Sequence, residues 1–428
     1  MSTELPEPEI PVGLPRAEGH AAPRGLGMPI ERIRLVAFER SLSEVGVEGL
    51  EEILSSTPAL KCREWFEADR SVRELALLRT CQRICVLALV DGSKGGSGLA
   101  DRLGELGAWT VRSDDIAVRH LYRTAAGLLS RIEGERDIQD QLRSAASSVH
   151  SRHARPVLRS LLEAAVRSAD RAVGEGALSV ADVAAQWLLD RVGGQRVRVL
   201  IIGTGAVGRR LAERLAPRAH VTLLHRSHAP EPAWTAQWGL ETCGHEELRD
   251  RVARADAVVA AARSSERILR ETDLPPATAP SPRWFIDLGL PRNLDPAIGS
   301  RPGVELVDLA TLPPGRLAPD RADVLTREME EAAREGAQLL AAASIEPWIA
   351  ELRSWAEAIR AEEWERALGH SGPVPEEARI AFERLSDRLV RRLLAGPTRE
   401  LRDLPPTFER DLDRRRILRL FRPDDFDP

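Results

Sequence analysis

"VRVLIIGTGAVGRRLAERL", residues 197–215, decides the architecture. An apolar run reads as a strand, a glycine-rich turn follows at once, and a helical pattern opens directly behind it. In that context the three glycines have separate duties. Gly203 permits the tight turn, Gly205 lets the backbone approach a pyrophosphate, and Gly208 lets helix and strand pack closely. The helix end then offers free N–H groups and the positive end of its dipole to phosphate. Thr204, Ala206 and Val207 complete the candidate cofactor-binding loop. A glycine-rich turn without a ligand is the plain alternative.

On either side of this loop strands alternate with helical stretches. The helix "SVADVAAQWLLDRV" precedes it, and strands follow at "HVTLLHRS", "ADAVVAAA" and "WFIDLGL". That alternation implies a parallel, doubly wound sheet. The strand ending at His225 bears on the cofactor. An NAD site usually places Asp or Glu there for the ribose hydroxyls, but His225, Arg226, Ser227 and His228 include no acid. Arg226 and Ser227 are a cation and a hydroxyl donor suited to a 2′-phosphate, so NADPH is the expected cofactor.

Upstream, "IERIRLVAF" begins a strand, "VGVEGLEEILSS" has helical spacing, and "LLRTCQRICVLALV" (77–90) reads as a second strand. A helix-rich stretch follows at 114–152. These segments form a small α/β domain expected over 29–165, ahead of the dinucleotide domain at 166–318. Residues 319–428 are almost wholly helical. Ile345, Trp348, Ile349, Leu352, Trp355 and Ile359 fall on one helical stripe that calls for an apolar partner surface, which makes a homodimer the expectation. Pro347 either kinks this helix or starts a new one. A later helix, "ARIAFERLSDRLVRRLLAG", is expected to stop at Gly396 and Pro397. The Pro-, Gly- and Ala-rich tail at 1–28 is expected to be disordered.

Composition fits this plan. At 428 residues, 43% apolar and 30% charged, the chain is ordinary for a multidomain globular protein. It has no apolar run long enough to span a membrane, and its amino terminus lacks the basic start and apolar core of a secretory leader. The four cysteines show no metal-ligand spacing, so a reduced, cytoplasmic setting is expected and no metal. All basic residues but Lys61 and Lys94 are arginines, and a net charge of −5 offers no sign of a nucleic-acid-binding stripe.

Cys81 and Arg83 stand two apart at the front of the 77–90 run. In a strand they share a face, and a guanidinium there would favour the thiolate. Cys85 falls on that face too. A structural cysteine at the start of a strand is the alternative, as a helix-surface histidine is for His120.

At these residues the chain resembles the glutamyl-tRNA reductase family. "LLRTCQR" is similar to its Ser/Thr-Cys-Asn-Arg active-site segment. "RHLYRTAAGLLSRIEGERDIQDQL" resembles its His-Leu-Phe-Arg-Val-Ala-Ser-Gly-Leu-Asp-Ser stretch, which leads into Gly-Glu-Pro-Gln-Ile. "FIDLGLPRNLDP" and "LLAGPTRELRDL" match later family segments, in order, from about residue 31 to the end. The resemblance implies a catalytic domain, an NADPH domain and a helical dimerisation domain joined by a long spinal helix. It implies reduction of glutamyl-tRNA(Glu) to glutamate-1-semialdehyde, the first step of five-carbon tetrapyrrole synthesis, with the downstream aminomutase as a partner. Carried onto this sequence, Cys81 would form a thioester, Arg83 would hold the substrate carboxylate, and His120 would act near the reacting carbonyl. Thr80, Gln82, Ser130, Glu135, Arg136, Asp137 and Gln141 would line the substrate pocket.

The chain departs from the family pattern in that same pocket. Glu39 and Arg40 stand for His-Lys, Gln82 for Asn, Cys85 for Glu, Leu129 for Asp, and Arg136-Asp137 for Pro-Gln. The alternative is therefore a reductase-derived paralogue that binds NADPH or a partner without the activity.

Overall fold

The computed structural model describes residues 33–56, 59–92, 95–174, 178–276, 283–371 and 374–403. The tail at 1–28 lies outside them. The chain forms two compact units, one spanning Glu31–Ser344 and the other containing the helical residues from Ile345 onward.

The first unit opens with an antiparallel sheet in the order β4-β1-β3-β2-β5. Its strands are β1 (Ile33–Ser41), β2 (Val72–Arg79), β3 (Arg83–Asp91), β4 (Thr110–Ser113) and β5 (His150–Ser151). The central strand β3 is buried on both faces, which explains its unbroken apolar run. Cys85, Leu87 and Leu89 meet helices α4 (Asp114–Ala125), α5 (Asp137–Ser147) and α6 (Val157–Val173). Val86, Ala88 and Val90 meet Trp65 and Phe66 of α2 (Ala59–Ala68) and Leu99 and Leu103 of α3 (Ser97–Gly104). Glu74 on β2 is buried because it has a task there. Its two carboxylate oxygens accept from the free Val157 and Leu158 amides at the start of α6, at 2.9 and 2.6 Å. Helix α6 packs on this core from Leu158 to Val173, so the first block continues past residue 165 to the end of the helix.

The second sheet is parallel, in the order β11-β10-β9-β6-β7-β8. Its strands are β6 (Arg198–Ile202), β7 (His220–His225), β8 (Glu241–Gly244), β9 (Ala257–Ala260), β10 (Trp284–Asp287) and β11 (Glu305–Asp308). β8 and β11 have no counterpart in the sequence reading. Both are four-residue edge strands that open on glutamate, too short and too polar to register as apolar runs. Helix α7 (Val180–Val192) starts on a capping box between Ser179 and Asp182. Helix α8 (Ala206–Leu215) carries the glycine motif.

The two sheets share a core within this unit. Leu42, Val47, Leu50 and Ile53 of α1 (Leu42–Ser56), with Ile84 and Ile132, lie in one cluster with Val199, Ile201 and Ile286 of the second sheet. Arg292 fastens the seam: its guanidinium meets Glu48 of α1 at 2.7 Å and Asp308 of β11 at 3.2 Å. These partners of Arg292 are carboxylates from two different elements.

Helix α11 (Pro319–Ser371) begins in the first unit, where Leu325, Met329, Ala333 and Leu340 pack on the first core. Pro347 starts no new element. In the second unit Ile345, Ile349 and Leu352 bury against Leu394 of α12 (Glu376–Asp403), with Trp355 at the margin, whereas Ile359 is exposed. The expected stop at Gly396–Pro397 does not occur. Helix α12 runs through Pro397 because Leu394 and Thr398, on either side of it, are buried, and this packing outweighs one lost backbone bond. No helix among the described residues is long and apolar enough to cross a membrane.

Candidate active site

Cys81 is not in a strand. β2 ends at Arg79 and β3 starts at Arg83, so Thr80–Gln82 form the hairpin turn between them. Thr80 sets this turn: its hydroxyl accepts from the Gln82 and Arg83 amides, both at 3.1 Å, and its own amide donates to the Arg83 carbonyl at 2.9 Å. The turn holds the thiol at the sheet's end, partly exposed, beside the Glu135 carboxylate at 3.7 Å.

That placement reverses the electrostatic expectation. Burial, the charges of Glu135 and Asp137, and the hydrogen bond to Glu135 push the Cys81 thiol well above its ordinary pKa. The Arg83 guanidinium points away, toward Glu39 at 3.4 Å, Thr124 Oγ1 at 3.4 Å and the Leu129 carbonyl. Proximity in sequence did not put the cation beside the sulfur, because the turn separates their directions.

Two carboxylates frame the site. Glu135 is 1% exposed and accepts from Ser130 Oγ at 2.7 Å. Burial raises its pKa to about 7, with Asp137 adding to the rise against the lowering by Ser130 and Cys81. The loop that delivers it closes tightly on itself. Gly127 has a φ of +68°, and a Cβ there would lie 2.4 Å from the Glu135 amide nitrogen, so no other residue fits. Gln82 braces the same loop. Its Nε2 donates to Ser130 Oγ at 2.9 Å, and its Oε1 accepts from the Arg131 amide at 2.8 Å. The Gln-for-Asn departure is thus built into the hydrogen-bond network.

Glu39, in β1, is the second carboxylate and the residue the sequence reading undervalued. It is 4% exposed, meets His120 Nε2 at 2.6 Å, and faces Arg83 and Arg112. Burial alone would raise its pKa, but the His120 hydrogen bond and the charges of Arg83, His120 and Arg112 overcome that and hold it below the usual value. The signal was present in the sequence. Ile33, Leu35 and Ala37 alternate on the buried face, and Glu39 is next on it. A cavity of about 470 Å³ opens here, lined by Arg83, His120, Arg112, Glu39 and Leu129 among others. Arg83 is among the lining residues of this cavity, and Cys81 is not.

Of the other candidates, Asp137 and Gln141 are half-buried, each with one side-chain oxygen lacking a hydrogen-bond partner, while Arg136 is exposed at the start of α5. Asp137 feels the charge of Arg210 on α8. Asp137, which also raises the Cys81 thiol, thus connects the charge around the turn with an arginine of the helix that carries the glycine motif. Cys85 is a buried core residue.

The glycine loop fits a dinucleotide phosphate. Gly205 caps α8 without any side-chain hydrogen bond, and the space where its Cβ would stand is open to beyond 4 Å. Gly208 has the opposite role: a Cβ there would fall 2.1 Å from the Gly203 carbonyl oxygen. Thr204 is half-buried, Val207 packs at the margin of the shared core, and Ala206 is exposed. Arg226 and Ser227 are exposed beyond the end of β7.

Residues 42–175 match the family model for the glutamyl-tRNA(Glu) reductase N-terminal domain, and residues 326–422 match that for its dimerisation domain. Residues 185–313 match a shikimate/quinate 5-dehydrogenase model. The glutamyl-tRNA reductase of Rubrobacter xylanophilus is 32% identical over 361 residues, covering 78% of this chain and 83% of that protein. The chain belongs to the glutamyl-tRNA reductase family. The Kineococcus radiotolerans reductase is 30% identical over 407 residues, with 89% and 88% covered. The solved glutamyl-tRNA reductase of Methanopyrus kandleri is 24% identical, with a TM-score of 0.48 over 90% of this chain and 98% of that one. As a member of the family, the chain carries a pyridine-nucleotide-type binding domain and the family's dimerisation domain.

Proposed function

We propose that this protein reduces the activated carboxyl of glutamyl-tRNA(Glu) to glutamate-1-semialdehyde with NADPH, through a thioester on Cys81. The carrying observation is the placement of a partly exposed thiol on a threonine-braced turn, beside a buried carboxylate and within the same compact unit as the glycine loop. Cys81 attacks the ester carbonyl and the tRNA 3′-terminal oxygen leaves, which splits one difficult step into two. The cavity beside Arg83 and Arg112 suits the side-chain carboxylate of the glutamyl group, a charge-assisted contact. His120, held by Glu39, faces that cavity as a proton donor near the substrate. Ser130 and Gln82 fix the loop that bounds the thiol.

In this reading Gly203–Gly208 receive the pyrophosphate and Arg226 and Ser227 the 2′-phosphate; the bound nucleotide supplies hydride. The departures at Glu39 and Gln82 support an active pocket over an inactive paralogue, since each has gained partners inside it. Phe382, Leu385, Leu389 and Leu393 leave an exposed apolar stripe on α12, which favours a homodimer through the helical block at 319–428. Four free thiols suit the cytoplasm, and the aldehyde product suits direct transfer to an aminomutase.

The test is to mix purified protein with radiolabelled glutamyl-tRNA, quench in acid and look for label on Cys81, then add NADPH and follow its oxidation. Wild type should form the adduct and release aldehyde, while Cys81→Ser should lose at least about 10³-fold in rate. Equal turnover by Cys81→Ser overturns the thioester. Absence of label and NADPH oxidation in wild type overturns the reductase reading.

A further inference from the structure

The reductase reading leaves open where the Cys81 proton goes, and a thiol surrounded by negative charge does not lose it to solvent at neutral pH. We propose that the Glu135 carboxylate is the general base that takes this proton as the sulfur attacks, and that it returns the proton to the departing tRNA oxygen. The inference rests on the thioester reading and assigns Glu135 a chemical step in place of a substrate contact.

The geometry carries it. Glu135 Oε1 lies 3.7 Å from the sulfur, within reach of an S–H donor, and it is the hydrogen-bond partner of that thiol. Its second oxygen is engaged by Ser130 Oγ at 2.7 Å, and Ser130 is held by Gln82 at 2.9 Å. Oε1 is therefore aimed at the sulfur by a fixed chain of hydrogen bonds, with Gly127 forcing the loop into contact. The His120 imidazole, the other base in the cluster, is engaged by Glu39 instead.

The step balances without a further reagent. The S–H bond breaks toward Glu135 as the S–C bond forms, the ester C–O bond then breaks, and the carboxylic acid protonates the leaving 3′-oxygen. Burial suits Glu135 to both halves, because a carboxyl titrating near 7 is a stronger base than an exposed one and still gives its proton to an alkoxide. The groups facing it are Cys81 on the turn, Arg83 on β3, Ser130 on its own loop and Asp137 on α5. Asp137 is in turn countered by Arg210 on α8. Arg83 lowers and Asp137 raises the titration point, and both are retained in the variant below.

The experiment measures single-turnover thioester formation at saturating glutamyl-tRNA from pH 5.5 to 9, alongside iodoacetamide alkylation of Cys81. Wild-type acylation should rise through about pH 7 and level off. Glu135→Gln keeps the shape and the Ser130 contact; it should acylate about 10²- to 10⁴-fold more slowly and lose that limb. The same variant should alkylate faster at pH 8, because the charge that opposed thiolate formation is gone. These opposite changes separate a base from a residue that only shapes the pocket. Glu135→Asp should retain the limb at a reduced plateau. Glu135→Gln acylating within about twofold of wild type, or retaining the limb, overturns the proposal and leaves the Cys81 thioester standing. Wild type forming no thioester at any pH overturns both.

Discussion

The glycine loop and the thiol turn belong to one compact unit, and they are made of opposite materials. The loop is backbone: amide groups at a helix start, two glycines that must lack a Cβ, and open space in front. The phosphate binding proposed for it would rest on local chain geometry and should survive changes in surrounding side chains. The thiol turn is a balance of buried ionisable groups contributed from distant parts of the chain. Glu39 comes from β1, Arg83 from β3, Arg112 from β4, His120 from α4 and Glu135 from a loop. In such a site each group's state depends on the others, so single substitutions should cost far more.

The sharpest way to break this contrast is Glu39→Ala. It leaves Arg83, almost fully buried, without its ion-pair partner and frees Arg112 and His120. Removing one member of a buried pair costs about 3–5 kcal/mol, so the urea midpoint should fall well below that of wild type. A loss under about 1 kcal/mol would mean that Thr124 and the Leu129 carbonyl suffice for Arg83, and that the cluster is looser than its burial implies. Because the Glu39 pKa is lowered in the fold, its contribution is present above the ordinary carboxylate range and is lost as pH falls below it.

Glu135 titrates with the opposite sign. Its pKa rises from 4.5 to about 7 on folding, so the native state holds an extra proton in that window. Stability therefore falls as pH rises from about 4.5 to 7, and the cost is complete above 7. That shift corresponds to roughly 3 kcal/mol. Denaturant titrations at pH 4.5 and 8 should show the stability of Glu135→Gln relative to wild type improving by about this amount. Asp287, raised to about 6 by burial, acts in an overlapping window but is common to both proteins and cancels. A pH-independent difference would show that Glu135 is not strained by its surroundings.

How much of this the sequence disclosed follows the same division. The loop at Gly203–Gly208, the parallel sheet around it and the long helix were legible because each is written in consecutive residues with a fixed period. The edge strands β8 and β11 were not, since four residues opening on glutamate carry no period. Cys81 and Arg83 do not share a strand face as their spacing suggested, because a threonine-braced turn rather than a strand separates them. Glu135 is 54 residues from the thiol and Glu39 is 81 from His120, and no local pattern reports such pairings. What could have been read is the cost: a glutamate on the buried face of β1 requires a cation, and several arginines and a histidine were available to supply one.

The smallest expected effect tests the other side of the contrast. Arg226 is exposed beyond β7, so Arg226→Ala should leave the urea midpoint within about 0.5 kcal/mol of wild type. A charge-assisted contact to a 2′-phosphate is worth about 1.5–3 kcal/mol, so NADPH should bind roughly ten- to a hundredfold more weakly in the variant. NADH affinity should not change, because the backbone amides and the Gly205 space proposed to receive the pyrophosphate are untouched. Fluorescence titration of both nucleotides against both proteins gives four affinities that must fit this pattern. If wild type binds NADH as tightly as NADPH, Arg226 has no phosphate to hold and the preference for NADPH is withdrawn. If the variant loses both nucleotides equally, the loop is less self-sufficient than its backbone geometry requires, and the contrast with the thiol turn fails on the side where it was thought safest.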